Sequence, residues 1–169
     1  MATTDTLTDR SVFLSLREIT EDLAVRVPTL PENREEAWAV LLALAEADGA
    51  GTRAVRDAAQ GTGETHARIG RRLLQDMLAA PESAPEASAV LADPPTDDQL
   101  AAVPADTALV LGSALVVWLS VRFDVKITRR DGKNSYSLSF GKEPSRAGAM
   151  AKAVETLVRL FQGDTPPGP

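Results

Sequence analysis

The chain holds one histidine and no cysteine, and that limits the chemistry it can carry. Thiolate nucleophiles, disulfides and cysteine metal sites are excluded. His66 stands between Thr65 and Ala67. A nucleophile–base–acid triad needs an imidazole held by a carboxylate and within reach of a hydroxyl. No serine or acid sits at a spacing that suggests one, so His66 is expected as a solvated helix residue. A zinc site would need carboxylates to replace the missing Cys and His ligands. The acid pairs Glu21-Asp22, Glu35-Glu36 and Asp97-Asp98 are adjacent in sequence, and adjacent residues do not face each other on a helix. The stretch from Asp93 to Asp98 lacks the glycine-turned oxygen pattern of a calcium loop. Gly61-Thr62-Gly63 would cradle phosphate only after a strand and with a lysine, and neither is present. The expectation is a protein with no catalytic residue, no cofactor and no metal, and therefore not an enzyme.

The chain does carry charge in blocks. The net charge is −6, made of −6 over residues 1–51, +3 over 52–72, −7 over 73–108 and +4 over 109–169. Acidic and basic stretches alternate, so they can attract one another. One basic patch is Arg53, Arg56, Arg68, Arg71 and Arg72 with His66. It falls on a short helix, a glycine turn and a longer helix. That order resembles a helix-turn-helix, in which the helix from Glu64 would enter a major groove. Arg56 and Asp57 stand where such motifs carry small or apolar residues, and Glu64 would repel phosphate. The competing expectation is a surface helix whose arginines offset the acidic first block. The other patch gathers Lys126, Thr128, Arg129, Arg130, Lys133, Ser135, Ser137 and Lys142. Serines with basic residues on one strand face are a normal solvated surface and blunt an exposed edge.

Helices must position these groups. Thr8 suits an N-cap for a helix over residues 9–24, with Val12, Leu16, Ile19 and Leu23 on one face. Asn33 and Glu36 read as a capping-box variant before a helix whose buried stripe is Trp38, Leu41, Leu42 and Ala45. A short helix from Thr52 to Ala59 precedes the glycine turn. The helix from Glu64 to Ala79 turns Ala67, Gly70, Leu73, Leu74, Met77 and Leu78 inward. Residues 81–104 hold five prolines and no basic residue, which reads as a linker. The tail at 164–169 reads as disordered.

The C-terminal part is patterned most sharply. Thr107 to Val121 is fifteen residues without a charge. At ~1.5 Å per residue it reaches about 22 Å, short of the ~30 Å hydrocarbon core, so a buried helix is expected rather than a membrane span. Phe123, Val125 and Ile127 then alternate with polar residues, Asp131-Gly132 suits a two-residue turn, and Tyr136, Leu138 and Phe140 alternate again. A turn centred there sets Ile127 opposite Tyr136, Val125 opposite Leu138 and Phe123 opposite Phe140. Ser145 suits the N-cap of a last helix with a stripe of Ala147, Met150, Ala151, Val154, Leu157, Val158 and Phe161.

The run from Ala108 to Phe140, with its Trp118-containing apolar helix and the turn Arg129-Arg130-Asp131-Gly132, followed by an amphipathic helix, resembles the effector-associated constant component modules of bacterial conflict systems. The resemblance implies a non-enzymatic adaptor or scaffold that accompanies separate effector proteins.

The expected fold is α+β. A helical bundle fills residues 1–80, a Pro-rich acidic linker 81–104, and an α-β-β-α module with a two-stranded hairpin packed on helices 105–163. The expected function is a soluble, cytoplasmic protein–protein adaptor or scaffold, open to homo-oligomer formation through Leu111, Leu115, Val117 and Trp118 on the apolar helix. The alternative is a nucleic-acid-binding regulator that uses residues 52–72.

Overall fold

Short polar side chains start the helices. Thr8 Oγ1 accepts from the Ser11 amide at 3.1 Å and opens α1, Asp9–Ala24. At the start of α2, Arg34–Asp48, Asn33 Oδ1 accepts from the Glu36 amide at 2.8 Å. Glu36 reaches back to accept from the Glu32 amide, also at 2.8 Å, so two orphan donors are satisfied reciprocally. Gly51 (φ 82°) leads into α3, Thr52–Ala59. Thr62 caps α4, Gly63–Ala79. Asp106 caps α6, Thr107–Phe123, through the Leu109 amide at 3.0 Å. Between them lies α5, Ala84–Ala92, and α7 spans Arg146–Gln162. These elements come from a computed structural model that describes residues 4–27, 30–48, 51–95, 106–130, 135–140 and 146–162.

The core is organised around α6. Eleven of its seventeen residues are buried, too many for one stripe, and a helix apolar all round belongs in the middle of a fold. Helices α1, α2 and α4 pack on it from the N-terminal part of the chain. Close approach depends on glycine at two crossings. A methyl group at Gly112 on α6 would come within 2.9 Å of Trp38 Nε1 on α2. One at Gly70 on α4 would come within 2.9 Å of Val12 Cγ1 on α1.

Several expectations are corrected here. The fold class is helical, not α+β. Seven α-helices carry the core among the described residues, and the only β structure described there is one short antiparallel ladder of β1, Val125–Arg130, and β2, Ser135–Phe140. That ladder brings Val125 to the core and does not define a separate layer. Its register also differs from expectation: Val125 pairs with Phe140, Ile127 with Leu138 and Arg129 with Tyr136. Alternation has period two, so it fixes faces but does not choose between registers two residues apart. Phe123 is unavailable as a strand residue because α6 runs through it and ends at Asp124, whose φ of 50° lies in the left-handed region.

The division into a bundle and a module is corrected as well. One apolar cluster runs from α1 through α7. The first half of the expected linker is α5, which packs on α1 and α4 and buries Ala87, Val90 and Leu91. Pro85 sits in the first turn of α5, where its missing N–H costs nothing. On α7 the buried set is Ala153, Val154, Leu157, Leu160 and Phe161, and Ala151 faces out. The Asp131-Gly132 turn, Ser145, residues 97–102 and the tail at 164–169 lie outside the described residues. So do the side chains of Lys126, Thr128, Arg129, Arg130, Ser135, Ser137 and Ala147, and all of Lys133 and Lys142.

Candidate interaction site

The apolar residues expected at an interface are inside. Leu111 and Leu115 are 0% exposed, and Val117 and Trp118 are 1% exposed. The helices of the N-terminal part cover them, so this face of α6 offers nothing to a second chain. Trp118 is fixed further by a hydrogen bond from its Nε1 to Ser83 Oγ at 3.0 Å. The Ser83 hydroxyl donates in turn to the Met77 carbonyl at 2.8 Å.

The basic patch does not form one presented surface. Arg53 lies beside Asp57 at 3.9 Å and Arg56 beside Glu46 at 3.9 Å, all four well exposed. Arg71 donates to the Leu7 carbonyl at 2.8 Å and to Asp9 at 2.7 Å. Arg72 donates to the Leu160 carbonyl at 3.1 Å. Both therefore tie α4 to neighbouring segments. Arg68 is exposed, and it shares a cleft of about 520 Å³ with Thr65, Arg71 and two carboxylates, Asp9 and Glu64. Those acids oppose phosphate.

His66 is not solvated. It is 2% exposed and stacks on Trp38 with ring centroids 6.3 Å apart. Its Nε2 lies 2.8 Å from the Ala58 carbonyl, which only accepts, so that nitrogen carries a proton. Its Nδ1 lies 2.9 Å from Thr107 Oγ1. The ring thus joins α3, α4 and α6, and both of its nitrogens are engaged. It floors a cleft of about 740 Å³ where Arg34, Glu35, Gln60 and Asp106 meet. Arg34 lies 3.5 Å from Glu35 and 3.8 Å from Asp106, so one cation stands between two carboxylates there. Among the described residues no group of three or more His, Asp and Glu could hold a metal ion.

One concavity is apolar rather than polar. It is a groove of about 340 Å³ between α1 and α6, lined by Arg17, Thr20 and Glu21 on one side and Leu109, Val110 and Ser113 on the other. No family model, curated protein or solved structure matches the chain. Leu109 and Ser113 stand four apart on α6 and are only partly buried. Like Thr107 at its start and Val121, Arg122 and Phe123 at its end, they are residues of α6 that reach the surface. Arg17 and Glu21, paired at 3.2 Å, form the opposite rim. An apolar floor within a polar rim is the general anatomy of a protein-binding patch. Leu111, Leu115, Val117 and Trp118 stand on enclosed faces of this same helix. Two serines interrupt the apolar stretch: Ser113 reaches the surface, and Ser120 is buried and donates to the Val116 carbonyl at 2.7 Å. None of the described helices is long and apolar enough to cross a membrane.

Proposed function

We propose that the chain is a non-catalytic adaptor or scaffold of the cytoplasm that receives a protein partner in the groove between α1 and α6. The observation that carries this reading is the groove floor, where the partly exposed Leu109 and Ser113 stand beside the buried Val110 on a helix most of whose residues are enclosed by the chain. Docked apolar side chains in such a groove supply most of the affinity of small interfaces. The reading also extends the resemblance of the C-terminal part to effector-associated constant component modules. By that resemblance the chain belongs to a bacterial conflict or signalling system in which the chemistry resides in other proteins. The nucleic-acid alternative is disfavoured by the internal bonds of Arg71 and Arg72 and by the acids beside Arg68.

The test is affinity capture of the tagged full chain from its own host beside the Ser113→Arg variant, with circular dichroism to check that the variant is folded. A partner retained by the parent and lost from the folded variant is the expected result. An identical partner set for both would overturn the groove as the docking site. Light scattering on the purified chain adds a second readout: a doubled mass that falls to one copy in Ser113→Arg would make the partner another copy of this chain.

A further inference from the structure

Helix α3, which borders the His66 cleft, is lightly held. Of its eight residues, Val55 and Ala58 are buried, and of these Val55 alone carries more than a methyl group. Helix α4 by contrast buries seven, Ile69, Leu73, Leu74 and Met77 among them. The charged residues of α3 face solvent and hold little. Arg53 lies beside Asp57 of the same helix, and Arg56 lies 3.9 Å from Glu46 with both side chains exposed. The helix packs chiefly on α2 and α7. Among the described residues one hydrogen bond joins it to another helix, from His66 Nε2 to the Ala58 carbonyl at 2.8 Å. Glycine stands at both ends. Gly51 enters α3 at a φ of 82°, and a methyl group there would come within 2.5 Å of Val158 Cγ2 on α7. Gly61 follows the last turn. Beyond it α4 starts without help from α3, because Thr62 Oγ1 accepts from the Thr65 amide at 3.4 Å. An element with few buried apolar groups, between neighbours fixed without it, is the kind that opens while the rest of a fold stays closed.

We propose that α3 is a strap that opens as a unit about Gly51 and Gly61 and sets the depth of the cleft beside it. Ala59 at its C-terminal end, with Gln60 and Gly61, forms one wall of that cleft, and His66 and Trp38 line it below. In the closed state the Ala58 carbonyl accepts the Nε2 proton of His66. In the open state the cleft gains that N–H as a free donor and continues along α2 and α7, the helices on which α3 packs. The contacts given up are those of Val55, the α3 alanines and one hydrogen bond. The packing of α1, α4 and α6 on one another is untouched.

Amide hydrogen exchange of the full chain, resolved residue by residue by NMR, tests the strap. The α3 amides from Val55 to Gln60 should exchange at least about a hundredfold faster than those of Leu111 to Leu119 in α6. Their rates should also stay flat in low urea while the α6 rates climb, because a local opening exposes little surface and global unfolding exposes much. Gly51→Ala supplies a second arm. The left-handed φ and the Val158 contact both oppose a side chain there, so this variant holds the strap open. Protection should vanish from α3 and persist in α6. Equal protection of α3 and α6 in the parent chain, or α3 rates that climb with urea in step with α6, would mean that α3 opens only with the whole fold and would overturn the proposal. A Gly51→Ala chain that fails to fold, or that loses protection in α3 and α6 by the same factor, would overturn it as well.

Discussion

Replacing Ser83 with alanine should cost far more than a residue in a proline-rich acidic stretch ordinarily would. The reason is a chain of two buried hydrogen bonds. Helix α4 ends at Ala79, and the Met77 carbonyl would ordinarily accept from the amide four residues on. That residue is Pro81, which has no N–H. The Ser83 hydroxyl takes the place of the missing donor at 2.8 Å, while its oxygen accepts from Trp118 Nε1 at 3.0 Å. Ser83 is 0% exposed and Trp118 1% exposed, so water cannot substitute for either bond. Ser83→Ala leaves one donor and one acceptor unsatisfied, for a cost of about 2–4 kcal/mol at about 1–2 kcal/mol per buried orphan. For a chain of this length the melting temperature should fall by about 5–15 °C. Trp118→Phe removes the donor, so adding Ser83→Ala to it should cost only the carbonyl's share. The two substitutions should therefore be non-additive by about 1–2 kcal/mol. Urea titrations followed by far-ultraviolet circular dichroism, which does not depend on the lost tryptophan, give all four corners of the cycle. A Ser83→Ala cost under about 0.5 kcal/mol, or strict additivity with Trp118→Phe, would show that the segment after α4 does not pack as described.

Three further outcomes can be checked in the same assay. Gly112→Ala should destabilise by about 1–3 kcal/mol, because its methyl group meets the Trp38 indole at 2.9 Å and the Ala37 methyl at 3.2 Å with little room to yield. Ser15→Ala should be neutral or stabilising by up to about 1 kcal/mol, since the Ser15 hydroxyl is buried with no hydrogen-bond partner among the described residues and the substitution removes its desolvation cost. His66→Phe should keep the stacking volume against Trp38 but leave the Ala58 carbonyl and the Thr107 hydroxyl without their ring partner. It should cost about 2–3 kcal/mol, and a loss below about 0.5 kcal/mol would mean that those bonds do not hold α3 and α6 to α4.

How legible each part was depends on whether its cause is local. The caps at Thr8 and at Asn33 with Glu36 are legible because each is one side chain meeting one amide three or four residues away. The central helix is legible because fifteen uncharged residues, too short a run to cross a bilayer, have few places to go but the interior. Proline misled the reading of α5: at the first turn of a helix it is a start signal, and among neighbours such as Pro94 and Pro95 it looked like a spacer. His66 was misplaced although its phase was available. It stands four residues before Gly70 and seven before Leu73, on the same inward face. The hairpin register depends on the reversal itself, because alternation tolerates a two-residue slide. The groove was hardest to see. Which side of an all-apolar helix remains uncovered is decided by α1, α2 and α4, and no property of α6 alone records it.

The placement of α6 also has a consequence for how the protein comes off the ribosome. Synthesis runs from the N-terminus, and the helix that α1, α2 and α4 share as their common floor is made only at residues 107–123. Until then Val12, Leu16, Leu41 and Leu74 have only each other to cover them. Nascent chains shorter than about this point have an unfinished interior and are exposed to chaperones and proteases. The N-terminal half is therefore not expected to survive as a free fragment, and chains truncated just after α5 should be degraded in cells rather than accumulate.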